Sequence, residues 1–126
     1  MVSISNVAIN VSDLERSERF YVDGLGLEVV TRIDTAEVRE LIVGTVGEGS
    51  QLMLAKHTST ERIAEPSGIW KIFLFTDDAA ALYAEAIGAG AEPVEPPRFL
   101  EQFNVTIAFV RDPDGYLLEL GQRHAE

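Results

Sequence analysis

Asn6-Val7-Ala8-Ile9-Asn10-Val11-Ser12-Asp13 decides the fold, because the order it begins is written a second time from Lys71. Val7, Ile9 and Val11 alternate with small or polar residues, which predicts a half-buried strand. Ser12-Asp13 is a helix start, since short oxygen-bearing side chains accept from the free N–H groups of a first turn. Glu15 and Arg16 fall in that first turn, with Phe20-Tyr21 on the inner face. Gly24-Leu25-Gly26 ends the helix, because glycine tolerates the left-handed backbone found there. Strands are predicted over Leu27–Ile33, Arg39–Gly44 and Gln51–His57, with Gly47-Glu48-Gly49 as the turn between the last two.

From Lys71 the same order returns, offset by about 65 residues. Lys71–Phe75 reads as a strand. Thr76-Asp77-Asp78 opens an alanine-rich helix that runs to about Ile87. Gly88-Ala89-Gly90 stops it where Gly24-Leu25-Gly26 stopped the first. A short strand near Pro93-Val94 follows, then one over Asn104–Arg111. Asp112-Pro113-Asp114-Gly115 suits a type I turn into a last strand, Tyr116–Gly121. Each half thus reads β-α-β-β-β. The first module covers 1–58 and the second 69–126, within one structural domain. Between them runs a polar, turn-rich linker, 59–68, that contains Ser59, Thr60, Glu61, Glu65, Pro66 and Gly68.

The chain has 126 residues, 46% hydrophobic and 25% charged, enough for one ordinary domain with a core. It has no cysteine, so disulfides, thiolate metal sites and a Cys nucleophile are excluded. Twenty-one acidic residues stand against ten basic ones, a net charge of −11. That balance repels phosphate backbones and argues against nucleic acid, while favouring a cationic partner. No apolar run approaches the ~20 residues of a membrane helix, so no membrane partner is expected. Met1–Asn10 shows no secretory leader, and a cytoplasmic location is expected. There is no P-loop, dinucleotide fingerprint, Gly-x-Ser-x-Gly elbow or zinc-protease helix.

Two segments resemble the vicinal oxygen chelate superfamily, which includes glyoxalase I, bleomycin-resistance proteins, extradiol dioxygenases and methylmalonyl-CoA epimerase. One is Val7–Ser17 with Phe20-Tyr21 and Gly24-Leu25-Gly26-Leu27. The other is Phe109-Val110-Arg111-Asp112-Pro113-Asp114-Gly115-Tyr116 with Leu118-Glu119-Leu120. The resemblance implies an α+β fold of two paired βαβββ modules, whose curled mixed sheets surround a cavity. It also implies a homodimer, since relatives of this length often pair modules across subunits. It says little of the chemistry, because the superfamily spans lyases, isomerases, dioxygenases, transferases and drug binders.

Family metal enzymes carry ligands, often His, Glu or Gln, on the first and last strand of each module. Carried over residue by residue, those positions fall here on Asn6, Met53, Lys71 and Glu119. Asn6 precedes Asp13 by seven residues as Lys71 precedes Asp78, and Met53 follows Gly49 by four as Glu119 follows Gly115. Glu119 suits a divalent cation and Asn6 offers a weak carbonyl oxygen. Met53 is a soft thioether, poor for Zn, Mg, Mn or Fe(II), and Lys71 is an ammonium with no lone pair. No metal and no cofactor are expected. Lys71 is instead expected to pair with Glu119 and to orient an anionic or carbonyl oxygen, or to exchange a proton with it.

Lys71 and Glu119 are therefore the catalytic candidates. Asn6, Gln51, Met53, His57, Phe99 and Phe103 are the ligand-binding candidates. Phe99 and Phe103 flank Pro96-Pro97, a loop suited to cover a pocket. Of Trp70, Phe73, Phe75, Phe99, Phe103, Phe109 and Tyr116, about five of the seven are expected in the core. Arg39 and Arg111 are candidates for holding a carboxylate, and His124 is expected to fray with the chain end. Three functions fit. One is a metal-independent binder of a small cationic or planar aromatic molecule. The second is a metal-free enzyme that works through Lys71 and Glu119. The third is a metal enzyme with a rearranged set that includes His57 and Glu119.

Overall fold

The structure, a computed structural model, describes residues 1–59 and 61–125; Thr60 of the expected linker lies outside the described residues. The chain divides into two compact units, Met1–Glu65 and Pro66–Glu126. No helix among the described residues is long and apolar enough to cross a membrane.

The first unit runs β1 (Asn6–Asn10), α1 (Leu14–Glu18), β2 (Glu28–Asp34), β3 (Val38–Thr45) and β4 (Glu48–His57). Its strands lie in the order β1-β4-β3-β2, with β1 parallel to β4 and the other neighbours antiparallel. The second unit runs β5 (Ile72–Phe75), α2 (Ala79–Gly88), β6 (Glu92–Leu100), β7 (Val105–Arg111) and β8 (Leu117–Arg123). Its order is β5-β8-β7-β6, with β5 parallel to β8. The repeat legible in the sequence is thus a repeat of topology. Both units are βαβββ modules and the fold class is α+β.

In each unit a helix covers one face of the sheet. Asp13 caps α1 by accepting from Arg16 N at 3.0 Å, and Asp78 caps α2 by accepting from Ala81 N at 3.0 Å. Under the first helix Ile9, Leu41, Val43 and Leu54 are buried with Leu14, Phe20 and Tyr21. Each such side chain contributes roughly 1.5–3 kcal/mol when taken out of water. Ala79, Leu82 and Ala86, spaced three and four apart, face Ala108, Val110, Leu118 and Leu120 in the second unit. Two ion pairs tie α1 to its sheet. Arg32 donates to both oxygens of Glu18 at 2.8 and 2.5 Å, and Arg39 donates to Glu15 at 2.7 Å. Those guanidinium hydrogen bonds hold both carboxyls below the usual carboxylate range.

Four local expectations are corrected. The first helix changes after Glu18 into a π-helix over Arg19–Gly24, in which Leu25 N donates to Phe20 O at 2.9 Å. The wider turn buries both Phe20 and Tyr21, and Gly26 with φ 83° ends it. The β3–β4 turn is Val46-Gly47, with Thr45 paired to Glu48, so Gly49 already belongs to β4. Pro96-Pro97 is not a loop: it lies inside β6, an edge strand where a missing N–H costs no ladder bond. The register shifts on either side of Glu95 absorb the prolines. His124 does not fray, since its Nε2 meets Thr106 Oγ1 at 2.7 Å and its backbone N donates to Asn104 O.

Candidate functional site

Strand register places the candidates on faces. In the first unit Asn6 lies opposite Gln51, and Ala8 opposite Met53, which in turn lies opposite Ile42. Residues two apart on a strand share a face. Asn6, Gln51, Met53 and His57 therefore line the face of the first sheet away from α1, all of them half-buried. The Gln51 side chain lies close to Gly44, where an added Cβ would stand 3.2 Å from Gln51 Cγ.

In the second unit the corresponding face carries Lys71, Phe73 and Phe75 from the first strand and its approach, with Glu119, Gly121 and Arg123 from the last. Phe73 lies opposite Glu119, as Ala8 lies opposite Met53. The register thus makes Met53 and Glu119 equivalent across the two modules. Lys71 Nζ is hydrogen-bonded to Glu119 Oε1. The pair is largely shielded, with 23% of the Lys71 side chain and 8% of Glu119 exposed. Three rings surround the ammonium, with Trp70 at 4.1 Å and Phe73 and Phe109 each at 5.9 Å from ring centroid to Nζ. Ring faces carry negative potential, so they hold a cation where water is scarce.

Two candidates sit elsewhere. Phe99 pairs with Thr106, on the helix-side face, and its ring meets His124 at 5.4 Å. Phe103 stands in the turn after β6. Arg39 is engaged by Glu15, and Arg111 donates to Gly115 O at 3.1 Å, so both are tied into the scaffold. Among the described residues, no three His, Asp or Glu side chains come together as a metal-binding group.

The aromatic expectation is overturned. Of the seven rings only Tyr116 is buried and Phe109 is intermediate, while Phe73, Phe99, Phe75, Phe103 and Trp70 are 45, 52, 60, 65 and 79% exposed. Phe73 and Phe75 face away from α2 and so find no core. They pack on each other at 4.7 Å, and Arg123 lies over Phe75 at 3.9 Å. Sequence reasoning missed Phe73, Phe75, Gly121 and Arg123 as one surface. Their spacing of two and four residues from Lys71 and from Glu119 was the signal that places them on one face.

The family model of the Glyoxalase/Bleomycin resistance protein/Dioxygenase superfamily matches residues 3–120. A probable lactoylglutathione lyase of Synechocystis sp. is 30% identical over 119 residues, 90% of each chain. Glyoxalase I of Zea mays superposes with a TM-score of 0.82 at 22% identity. That likeness covers 97% of this chain but only 45% of the maize chain, so this chain spans under half of it. A glyoxalase/bleomycin resistance protein of a Streptomyces species superposes with a TM-score of 0.74 at 27% identity, covering 95% of this chain and all of that one. The chain belongs to the glyoxalase/bleomycin resistance protein/dioxygenase superfamily.

Proposed function

We propose that this protein binds a planar aromatic small molecule without the help of a metal ion, in the manner of the bleomycin-resistance branch of its superfamily. One observation carries the reading: Trp70, Phe73 and Phe75 stand exposed around a Lys71–Glu119 pair, on the sheet face that α2 leaves open. Exposed rings are costly to leave in water, and they stack readily on a flat ligand. The reading takes the protein as a cytoplasmic homodimer.

The donor set supports the absence of a metal. The position equivalent to Glu119 in the first module is Met53, whose neighbours across the strands are Ala8 and Ile42. A thioether in apolar company does not attract a hard divalent cation. Glu119, the one strong donor, already has a cation on it in Lys71. A metal ion there would face the ammonium as well as displace it.

Trp70 is the single tryptophan and reports directly on the site. Titration of its fluorescence with anthracene- and acridine-type compounds is expected to saturate at micromolar concentrations. No saturation below millimolar for any of them rejects the reading. Elemental analysis tests the metal separately, since stoichiometric Zn, Ni, Mn or Fe in the purified protein contradicts it.

A second reading rests on the hydrogen bond between Lys71 and Glu119 itself, which gives the face a proton donor and acceptor in contact. In that reading the protein is a metal-free enzyme acting next to a carbonyl. Turnover of a carbonyl substrate that Lys71→Met abolishes, with the fold intact, favours it over simple binding.

A further inference from the structure

The open face of the second sheet carries Lys71, Arg98, Arg111 and Arg123, and the first three are engaged in place, Arg111 by donating to Gly115 O at 3.1 Å. Lys71 sits on Glu119, and Arg98 Nε donates to Glu95 Oε1 at 2.7 Å. Arg123 differs. Among the described residues no carboxylate lies within ion-pair distance of it, and its guanidinium rests over the Phe75 ring at 3.9 Å. A guanidinium stacked on a ring uses its flat face and leaves its N–H edges free. Those edges form a fork that matches a carboxylate. Beside it Phe73 leans over Gly121, tilted 44° from Phe75, and continues the apolar surface.

We propose that Phe73, Phe75 and Arg123 form a subsite for a planar aromatic carboxylate, its ring against Phe73 and its carboxylate in the Arg123 fork. The assignment rests on the aromatic-binding reading and sharpens it by fixing the sign of the ligand. It runs against the net charge of −11, which by itself favours a cation. Distance decides between the two effects. Charges more than about 8 Å apart are largely screened at physiological ionic strength. The dispersed acids therefore slow the approach of an anion, while the guanidinium in contact with it, which no carboxylate among the described residues engages, sets the preference.

Three probes share one ring system: anthracene-9-carboxylate, 9-anthracenemethanol and 9-(aminomethyl)anthracene. Binding of each to the full chain is followed by Trp70 fluorescence and by calorimetry. The carboxylate is expected to bind about ten-fold or more tighter than the alcohol, the scale of one charge-assisted hydrogen-bonded contact. In Arg123→Gln that advantage falls to about three-fold or less, while the alcohol keeps its affinity, as expected when only the charged contact is removed. Arg123→Lys, which keeps the charge but not the fork, is expected to fall between the two. Equal or tighter binding of the alcohol or the amine overturns the subsite and leaves the aromatic-binding reading standing. So does a carboxylate preference that survives Arg123→Gln. Failure of all three probes to bind overturns both. Arg123 is exposed, so its variants are expected to fold, and unchanged melting temperatures confirm that any loss is one of binding.

Discussion

The Phe73 ring sits over Gly121. A Cβ added at Gly121 would come within 2.6 Å of Phe73 Cε1 and 2.8 Å of Cζ. Gly121 is not among the glycines with positive φ, so the backbone does not require glycine there. Space for the ring does. Gly121→Ala therefore displaces Phe73 while leaving β8 intact. Because the ring is half-exposed and free to swing outward, the cost in stability is expected to stay under about 1 kcal/mol. Aromatic probes are expected to bind about ten-fold more weakly, the loss of one stacking partner. Chemical denaturation together with probe titration checks this. Unchanged affinity shows that Phe73 is not part of the platform.

How much of this was legible in the sequence depended on whether the signal was local. Asp13 and Asp78 announce their helices because a cap is a contact within four residues. The alternation around Ile9 and the Asp112–Gly115 turn are local as well, and Gly115 N donates to Asp112 O as a type I turn requires. Pro96-Pro97 misled, because proline argues against a strand unless that strand is an edge, and edge position is a property of the whole sheet. The aromatic rings misled for a similar reason. Phe73 and Phe75 read as core until it is known that α2 covers the other face, the one occupied by Leu118 and Leu120. The pairing of Lys71 with Glu119 was legible only through the equivalence of modules, since 48 residues separate the two.

The two guanidinium clamps on α1 have a pH signature. Arg32 bonded to Glu18 lowers that carboxyl from its ordinary value of 4.5, with burial opposing the shift. A carboxyl whose folded value is depressed stabilises the fold above its unfolded value and loses that contribution as pH falls through the folded value. The advantage of wild type over Arg32→Gln is therefore expected to be fully present above about pH 4.5 and to vanish in stronger acid. Melting temperatures between pH 7 and pH 2 show this as two curves that converge on the acid side. Parallel curves throughout leave the clamp without a role in acid stability.

The cap of α2 separates hydrogen bonding from charge. Asp78 accepts from Ala81 N at 3.0 Å, and that helix lays Ala79, Leu82 and Ala86 on its sheet. Asp78→Ala is expected to cost about 1 kcal/mol, while Asp78→Asn, which keeps the accepting oxygen, is expected to cost far less. Urea unfolding measures both. Equal losses in the two variants assign the effect to charge rather than to the cap.

Lys71 and Glu119 form a coupled pair, and a double-mutant cycle measures the coupling. Lys71→Met leaves the nearly buried Glu119 carboxylate without its cation, and Glu119→Gln leaves the ammonium among Trp70, Phe73 and Phe109 without its anion. Removing one partner of a buried pair is strongly destabilising, and partial exposure reduces that to about 2 kcal/mol for each single variant. The double variant Lys71→Met with Glu119→Gln removes both charges and places a thioether beside an amide. It is expected to recover about 1 kcal/mol or more relative to the sum of the single variants, the sign of direct coupling. The same cycle read on binding of an uncharged aromatic probe tells scaffold from contact. If the pair only holds Phe73 and Trp70 in place, the double variant binds the probe almost as wild type does. If Lys71 touches the ligand, binding stays weak in every variant that lacks it, however well the fold recovers.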